Sequence, residues 1–383
     1  MAADRHRVLM TADTVGGVWQ YALELAQGLS TCGDQIALAT MGGPLTREQR
    51  RDAEAIDGLS LYPSNHKLAW MQSPWVDVDR AGDWLLEVAA QVRPSVVHLN
   101  DYSHGDLPWD APVLMTGHSC VLSWWQAVHG EPAPRADWDR YRSRVHDGLH
   151  AADLVVAPTQ AMLTALIRHY GPLPSARVIA NGRSRHALVT GPEREPLILA
   201  AGRLWDEGKN IAALADVAPR LPWPVCVAGQ ARHPDGGATQ LPNVRLLGCL
   251  ASEELDRWFA RAAIYALPAR YEPFGLSALE AAQAGCALVL GDIDSLREVW
   301  GDAALFVAPD DRDALTATLQ RLIDDASLRE DYARRARLRA ARYTPAAMVN
   351  GYRRAYTGLS LQRGLERWVP PRAARDFTAG AAR

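Results

Sequence analysis

Four stretches of this chain combine charged side chains and glycines in ways that suit a phosphorylated, hydroxyl-rich ligand. The most specific is Tyr271-Glu272-Pro273-Phe274-Gly275-Leu276-Ser277-Ala278-Leu279-Glu280, which follows an apolar run and opens a helical pattern. Pro273 and Gly275 bar an earlier helix start, so Glu272 falls on the loop. The unpaired N–H groups near Gly275, Leu276 and Ser277 then point out of a helix N-terminus, an arrangement that binds anions. Glu280 follows about one turn later, and carboxylates accept hydrogen bonds readily from diols. An acidic loop with a merely solvated Glu280 fits the same residues. In Gly202-Arg203-Leu204-Trp205-Asp206-Glu207-Gly208-Lys209, Arg203 and Lys209 could reach one diphosphate, or could simply pair with Asp206 and Glu207. Asp13-Thr14-Val15-Gly16-Gly17 follows the first apolar run, where Gly16 and Gly17 let the backbone approach a ligand or make a plain turn. Thr116-Gly117-His118 puts a histidine where a strand ends, as a ligand group or a structural one; His98 reads as structural.

These side chains need a scaffold that presents loops at strand ends. Short, continuous apolar runs supply it: Arg7–Thr11, Gln35–Thr40, Ser95–Leu99, Val113–Thr116, Leu154–Ala157 and Arg177–Ala180, then Leu197–Ala201, Val225–Ala228, Val244–Leu247, Ile264–Leu267, Ala287–Leu290 and Ala304–Val307. Runs of this kind are strands covered on both faces. Amphipathic helical patterns alternate with them, including Val18–Ser30, Asp79–Val92, Gln160–Tyr170 and Ser277–Ala284. Repeated strand-then-helix order implies parallel sheets with helices on both faces. Asn181–Pro196, rich in Gly and Pro, separates the two series as a linker. The expectation is an α/β protein of two doubly wound lobes, with ligands at the carboxyl ends of the strands, facing a cleft. Asp310–Leu361 reads as helical, and the segment carrying Trp368, Pro370 and Pro371 as less ordered.

Composition narrows the class. The 383 residues suit two domains. A net charge of -3 and a pI near 6.4 argue against a general nucleic-acid binder. Cys32, Cys120, Cys226, Cys249 and Cys286 are scattered and read as buried reduced thiols. The start of the chain has no signal-peptide pattern, and no apolar stretch is long enough to span a bilayer, so a cytoplasmic location is expected, with peripheral contact at the inner membrane face left open. The Gly-x-Gly-x-x-Gly dinucleotide fingerprint and the Walker A pattern are both absent.

Taken together, the motifs resemble the family 4 glycosyltransferases from Gly16 to about Tyr356. The most specific matches are Glu272-Pro273-Phe274-Gly275 through Glu280, with seven residues between the glutamates, and Gly202-Arg203 through Lys209. Asn181-Gly182 matches the lobe junction, Gly248-Cys249-Leu250 a segment that contacts the base, and Glu298 a further family segment. The resemblance implies the GT-B fold: two Rossmann-like lobes facing each other across a cleft. Residues 1–185 would form the acceptor-side lobe and 195–343 the donor lobe, with a helix at about 344–361 able to pack back on the first lobe.

It also implies roles. Glu272 would hold the donor sugar's hydroxyls and Glu280 the ribose. Arg203 and Lys209 would neutralise the diphosphate, with Phe274, Gly275, Leu276 and Ser277 at the helix start. Cys249 and Leu250 would meet the base. Gly16 and Gly17 would close over the phosphates, and His118 would stand near donor sugar and acceptor. The chain departs from the family where two glycines often precede Glu298, since it reads Asp292-Ile293-Asp294-Ser295-Leu296-Arg297, and where many relatives carry a second histidine after His98.

The implied reaction is transfer with retention from a nucleoside-diphosphate sugar to a carbohydrate, lipid or small-molecule hydroxyl. No metal or other cofactor is expected, since two protein cations face the leaving group. A GT-B nucleotide-sugar epimerase and a non-catalytic nucleotide-sugar binding protein are the alternatives. Trp124 and Trp125 could stack on a sugar, touch lipid or fill a core. Arg135–Arg144 could lie on an anionic membrane or be a solvated helix face.

Overall fold

A computed structural model describes residues 5–184, 194–233, 236–237 and 240–367. The segment from Trp368 onward and residues 185–193 of the linker lie outside the described residues.

The first lobe carries β1 (Arg7–Asp13), α1 (Gly17–Thr31), β2 (Gln35–Met41), α2 (Arg47–Glu54), β3 (Leu59–Pro63), α3 (Trp75–Val92), β4 (Val96–Leu99), β5 (Val113–Thr116), α4 (Val121–His129), α5 (Arg135–Ala151), β6 (Leu154–Ala157), α6 (Gln160–Tyr170) and β7 (Ala176–Val178). The second carries β8 (Glu195–Ala201), α7 (Ile211–Val217), β9 (Val225–Ala228), β10 (Arg245–Gly248), α8 (Ser252–Arg261), β11 (Ala262–Leu267), α9 (Leu276–Ala284), β12 (Ala287–Gly291), α10 (Asp294–Trp300), β13 (Leu305–Val307), α11 (Arg312–Asp324), α12 (Ala326–Ala340) and α13 (Pro345–Arg367).

Strand order is β3-β2-β1-β4-β5-β6-β7 in one sheet and β10-β9-β8-β11-β12-β13 in the other, and every recorded pairing is parallel. The strands formed as their apolar runs predict: β4, β5, β6 and β11 are buried at every residue, as parallel strands sandwiched between helices must be. Edge strands depart from this: β7 is exposed throughout and β10 nearly so, and β3 is not among the apolar runs at all. β3 sits at the sheet edge, ends on Pro63, and is only half-buried.

Each sheet reverses its order at one place, between β1 and β4 and between β8 and β11. Loops leaving the carboxyl ends of strands at such a point diverge and leave a crevice. Thr14 to Gly16 follow β1, which ends on Asp13, and the Arg203 loop follows β8.

One face of the first sheet packs on α3, α5 and α6 through Leu85, Val145 and Leu166. The other packs on α1 and also on α13, whose Met348, Tyr352 and Tyr356 are buried with Leu25 and Met10. The final helix thus returns to the lobe where the chain began. Its return runs beside the outward crossing: Arg183 N–H donates to the Tyr343 carbonyl at 3.3 Å, and a Cβ on Gly182 would run into the Thr344 carbonyl.

Candidate active site

The turn after β1 is shaped by Asp13 and Gly16. Asp13 Oδ1 accepts from Val15 N–H at 3.1 Å. Gly16 has φ 108° and ψ −150°, a conformation open to glycine and strained for side chains. The turn lies directly against the second lobe: a Cβ on Gly16 would stand 3.3 Å from Arg203 Nη1, and one on Gly17 3.8 Å from Leu276 Cδ1.

Arg203 is fixed from two sides. Its Nη2 donates to Asp206 Oδ2 at 2.7 Å, and its guanidinium lies 5.1 Å from the Trp205 ring centre. Asp206 is buried and also accepts from Trp124 Nε1, across the cleft, at 2.8 Å and from Gly208 N–H at 3.0 Å. Burial pushes this carboxyl up, but Arg203 and Lys209 outweigh that and hold it below the usual carboxylate range. Lys209 Nζ donates to Glu272 Oε2 at 2.6 Å. Ser295 Oγ donates to the Glu272 carbonyl at 2.5 Å, so the stretch before Glu298 clamps the acidic loop. Gly275, φ 90°, turns the chain into α9, where Ser277 Oγ accepts from Tyr265 Oη at 2.7 Å.

On the first-lobe wall, His118 Nε2 lies 2.8 Å from Asn100 Oδ1. Asn100 Nδ2 donates to the Thr11 carbonyl, so Oδ1 is the acceptor and His118 Nε2 carries the proton. Burial lowers His118 to about 3, which keeps its ring neutral near pH 7. Beside it, Asp101 Oδ1 meets His104 Nδ1 at 2.6 Å. Burial raises Asp101, yet His104 and the Thr11 hydroxyl outweigh it and leave the carboxyl lowered. Asp13 differs: burial raises it to about 7, with Arg203 opposing and Asp101 adding to the rise. A cavity of about 470 Å³ joins these groups, running from Arg203 and Lys209 past Asp13 and His118 to Trp125 and Trp138.

Residues 15–184 match the family model of Glycosyltransferase Family 4, and residues 195–325 that of Glycosyl transferases group 1. The chain is similar to a glycogen synthase of Mycobacterium tuberculosis, 27% identical over 371 residues, 85% of this chain and 86% of that protein. It is also similar to a phosphatidyl-myo-inositol mannosyltransferase of Mycolicibacterium smegmatis, 25% identical over 399 residues, 96% of each. Among solved structures it is similar to HepE of Anabaena in complex with UDP-glucose, with a TM-score of 0.73 and 16% identity over 92% of this chain and 100% of that one. The chain belongs to the family 4 glycosyltransferases. Its fold is GT-B.

In this glycosyltransferase the cleft brings together Gly16, Gly17, Arg203, Lys209, Glu272, Leu276 and, through the cavity, His118. Phe274 is buried against Tyr343, so only its backbone serves the α9 start. Glu280 stands apart from the cavity. Arg183 Nε donates to its Oε1 at 2.6 Å, and the same guanidinium reaches Glu24 at 3.3 Å. Cys249 and Leu250 follow β10 and are not among the residues lining the cavity, and Cys249 is exposed, in contrast to the buried thiol expected for it. Trp124 and Trp125 wall the cavity. The arginines of α5 are paired: Arg135 and Arg142 with Asp139, Arg140 and Arg144 with Asp79. His98 is a core residue, 2.7 Å from Tyr356 Oη and 2.8 Å from Thr116 Oγ1. Asp206 is read from the sequence only as a pairing partner of the two cations, and it does pair with Arg203; Asp13, Asn100, Trp70 and Trp205 are not singled out. Only Asp13 had a signal, its place directly before the glycine turn. Among the described residues no helix is long and apolar enough to cross a membrane, and no cluster of three metal-ligating side chains is present.

Proposed function

We propose that this protein transfers a sugar, with retention of anomeric configuration, from a nucleoside-diphosphate sugar to an acceptor hydroxyl. The observation that carries this reading is the meeting of Gly16 with Arg203 and of Gly17 with Leu276 across the cleft. A diphosphate between these walls would be met by Arg203, Lys209 and the free N–H groups opening α9. It would also compete with Glu272 for Lys209, releasing the Glu272 carboxylate to the hydroxyls of the donor sugar. The base would lie toward Cys249 and Leu250. The ribose would reach Glu280, which then shares its carboxylate between ribose and Arg183. The HepE complex with UDP-glucose supports this class of donor.

In the reaction the bond from the anomeric carbon to the leaving phosphate breaks, with its electron pair going to phosphate oxygen. Arg203, Lys209 and the α9 N–H groups would meet that charge as it gathers and so stabilise the transition state. The acceptor oxygen bonds to the same face of the carbon, and its proton passes to the departing phosphate. Glu272 positions the sugar and is not a nucleophile. Neutral His118 offers Nδ1 as a hydrogen-bond acceptor. No metal takes part, and the lobes exclude water.

The test is calorimetric titration of nucleoside diphosphates and their sugars in EDTA, followed by the anomeric configuration of the product by NMR. Arg203→Ala is expected to weaken the diphosphate and its sugar alike, and Glu272→Ala chiefly the sugar form. A covalent glycosyl adduct on any side chain, or an inverted product, overturns the mechanism. Interconversion of the donor without acceptor makes the protein an epimerase instead.

A further inference from the structure

The cavity continues into the first lobe beyond the groups that the donor reading uses, and two observations fix the chemistry of that extension. The first is aromatic. Trp125 and Trp138 stand 6.3 Å apart with their planes at 58°, and Tyr141 meets Trp138 edge-on at 5.6 Å. At the rim, Trp70 of the first lobe stacks on Trp205 of the second, with 6.4 Å between ring centres and 26° between planes. All four indoles line the cavity and stay partly exposed there.

The second observation is charge. Among the described residues lining the cavity, the only lysine and arginine are Arg203 and Lys209, both at the donor end. The first-lobe wall contributes two carboxyl groups, Asp13 and Asp101, and no Lys or Arg. His118 on that wall is held neutral by burial. A phosphate or sulfate seated there would face carboxyl groups in a low-dielectric site with no lysine or arginine on that wall to pair with, which opposes its binding.

We propose, resting on the donor reading above, that the acceptor is an uncharged hydroxyl compound with an apolar ring face. That face stacks on Trp125 and Trp138, and the reacting hydroxyl points back toward Asp13, Asn100 and His118. Pyranose and aryl rings both present such a face. A phosphorylated acceptor is rejected. The whole cavity, donor end included, holds about 470 Å³, so the share left to the acceptor is that of a small molecule.

The experiment is tryptophan-fluorescence titration of the full chain, saturated with nucleoside diphosphate in EDTA, using phenyl glucoside, glucose and glucose 6-phosphate as probes. Phenyl glucoside, glucose or both should bind at least tenfold more tightly than glucose 6-phosphate. Binding of glucose identifies a pyranose face as sufficient; binding of phenyl glucoside alone assigns the stacking to the aryl ring. Trp138→Ala should weaken the neutral probe at least tenfold without changing the calorimetric Kd for the diphosphate, and Trp138→Phe should restore most of the affinity. Glucose 6-phosphate binding as tightly as the neutral probes, no neutral probe binding while the diphosphate binds, or an unaltered Trp138→Ala variant each overturns the inference but leaves the donor reading standing. Failure of the diphosphate itself to bind overturns both.

Discussion

Replacing Gly16 by alanine tests the contact on which the donor reading rests. At φ 108° and ψ −150° an alanine is held in a region that costs about 1–3 kcal/mol. The new Cβ would also lie 3.3 Å from Arg203 Nη1, but a guanidinium tip yields by a few tenths of an ångström, so the backbone term dominates. If the turn keeps its place, the strain appears as a lower melting temperature, about 2–4 °C per kcal/mol for a domain of this size. If it relaxes by drawing away from Arg203, affinity for the nucleoside diphosphate falls, by about tenfold for each 1.4 kcal/mol. The assay is calorimetry and thermal unfolding of Gly16→Ala, Arg203→Ala and the double variant. Because backbone strain does not depend on Arg203, the stability losses should add within about 0.5 kcal/mol, whereas an affinity loss that arises from drawing away from Arg203 should disappear in the double variant. A Gly16→Ala protein that binds and melts like the parent refutes the reasoning. A melting-temperature penalty that vanishes in the Arg203→Ala background shows that side-chain crowding, not backbone conformation, is responsible.

Three further outcomes are expected. Glu298 Oε1 and Oε2 accept from the N–H groups of Gln160 at 2.7 Å and Ala161 at 2.9 Å, so the second lobe caps α6 of the first. Glu298→Gln should weaken closure by about 1 kcal/mol, measured as a larger radius of gyration in small-angle scattering. Tyr356→Phe strips the partner from buried His98 Nδ1, and should lower the denaturation free energy by about 1–3 kcal/mol with kcat unchanged. Asp13, raised to about 7 from 3.8, favours the folded state fully below about pH 4, and that contribution is lost as pH rises through 7. Over the same upper range its anion neutralises Arg203, so diphosphate affinity should fall severalfold between about pH 6 and 8, and Asp13→Asn should flatten both profiles.

The strands were legible because a parallel strand buried on both faces must be apolar throughout, and Val113–Thr116 or Ile264–Leu267 could be little else. An edge strand carries no such demand, which is why Leu59–Pro63 was silent. The donor-side residues were legible because a helix start imposes local spacing on Glu272, Gly275 and Ser277. Side chains that meet only through the fold had no spacing to betray them. Arg183 finds Glu280 from 97 positions away, and Trp124 finds Asp206 from 82. The aromatic wall is of the same kind, since Trp70 and Trp205 come from different lobes and mean nothing as isolated tryptophans in a sequence.

The two passages of the backbone between lobes lie side by side, at Arg183 and at Tyr343. Two attachments at one edge act like the pins of a door. They permit swinging about a single axis and resist twisting or sliding. Displacement then grows with distance from the pins. Arg183 and Glu280, bonded beside the crossings, would then move least, and contacts between the lobes far from the crossings would separate first.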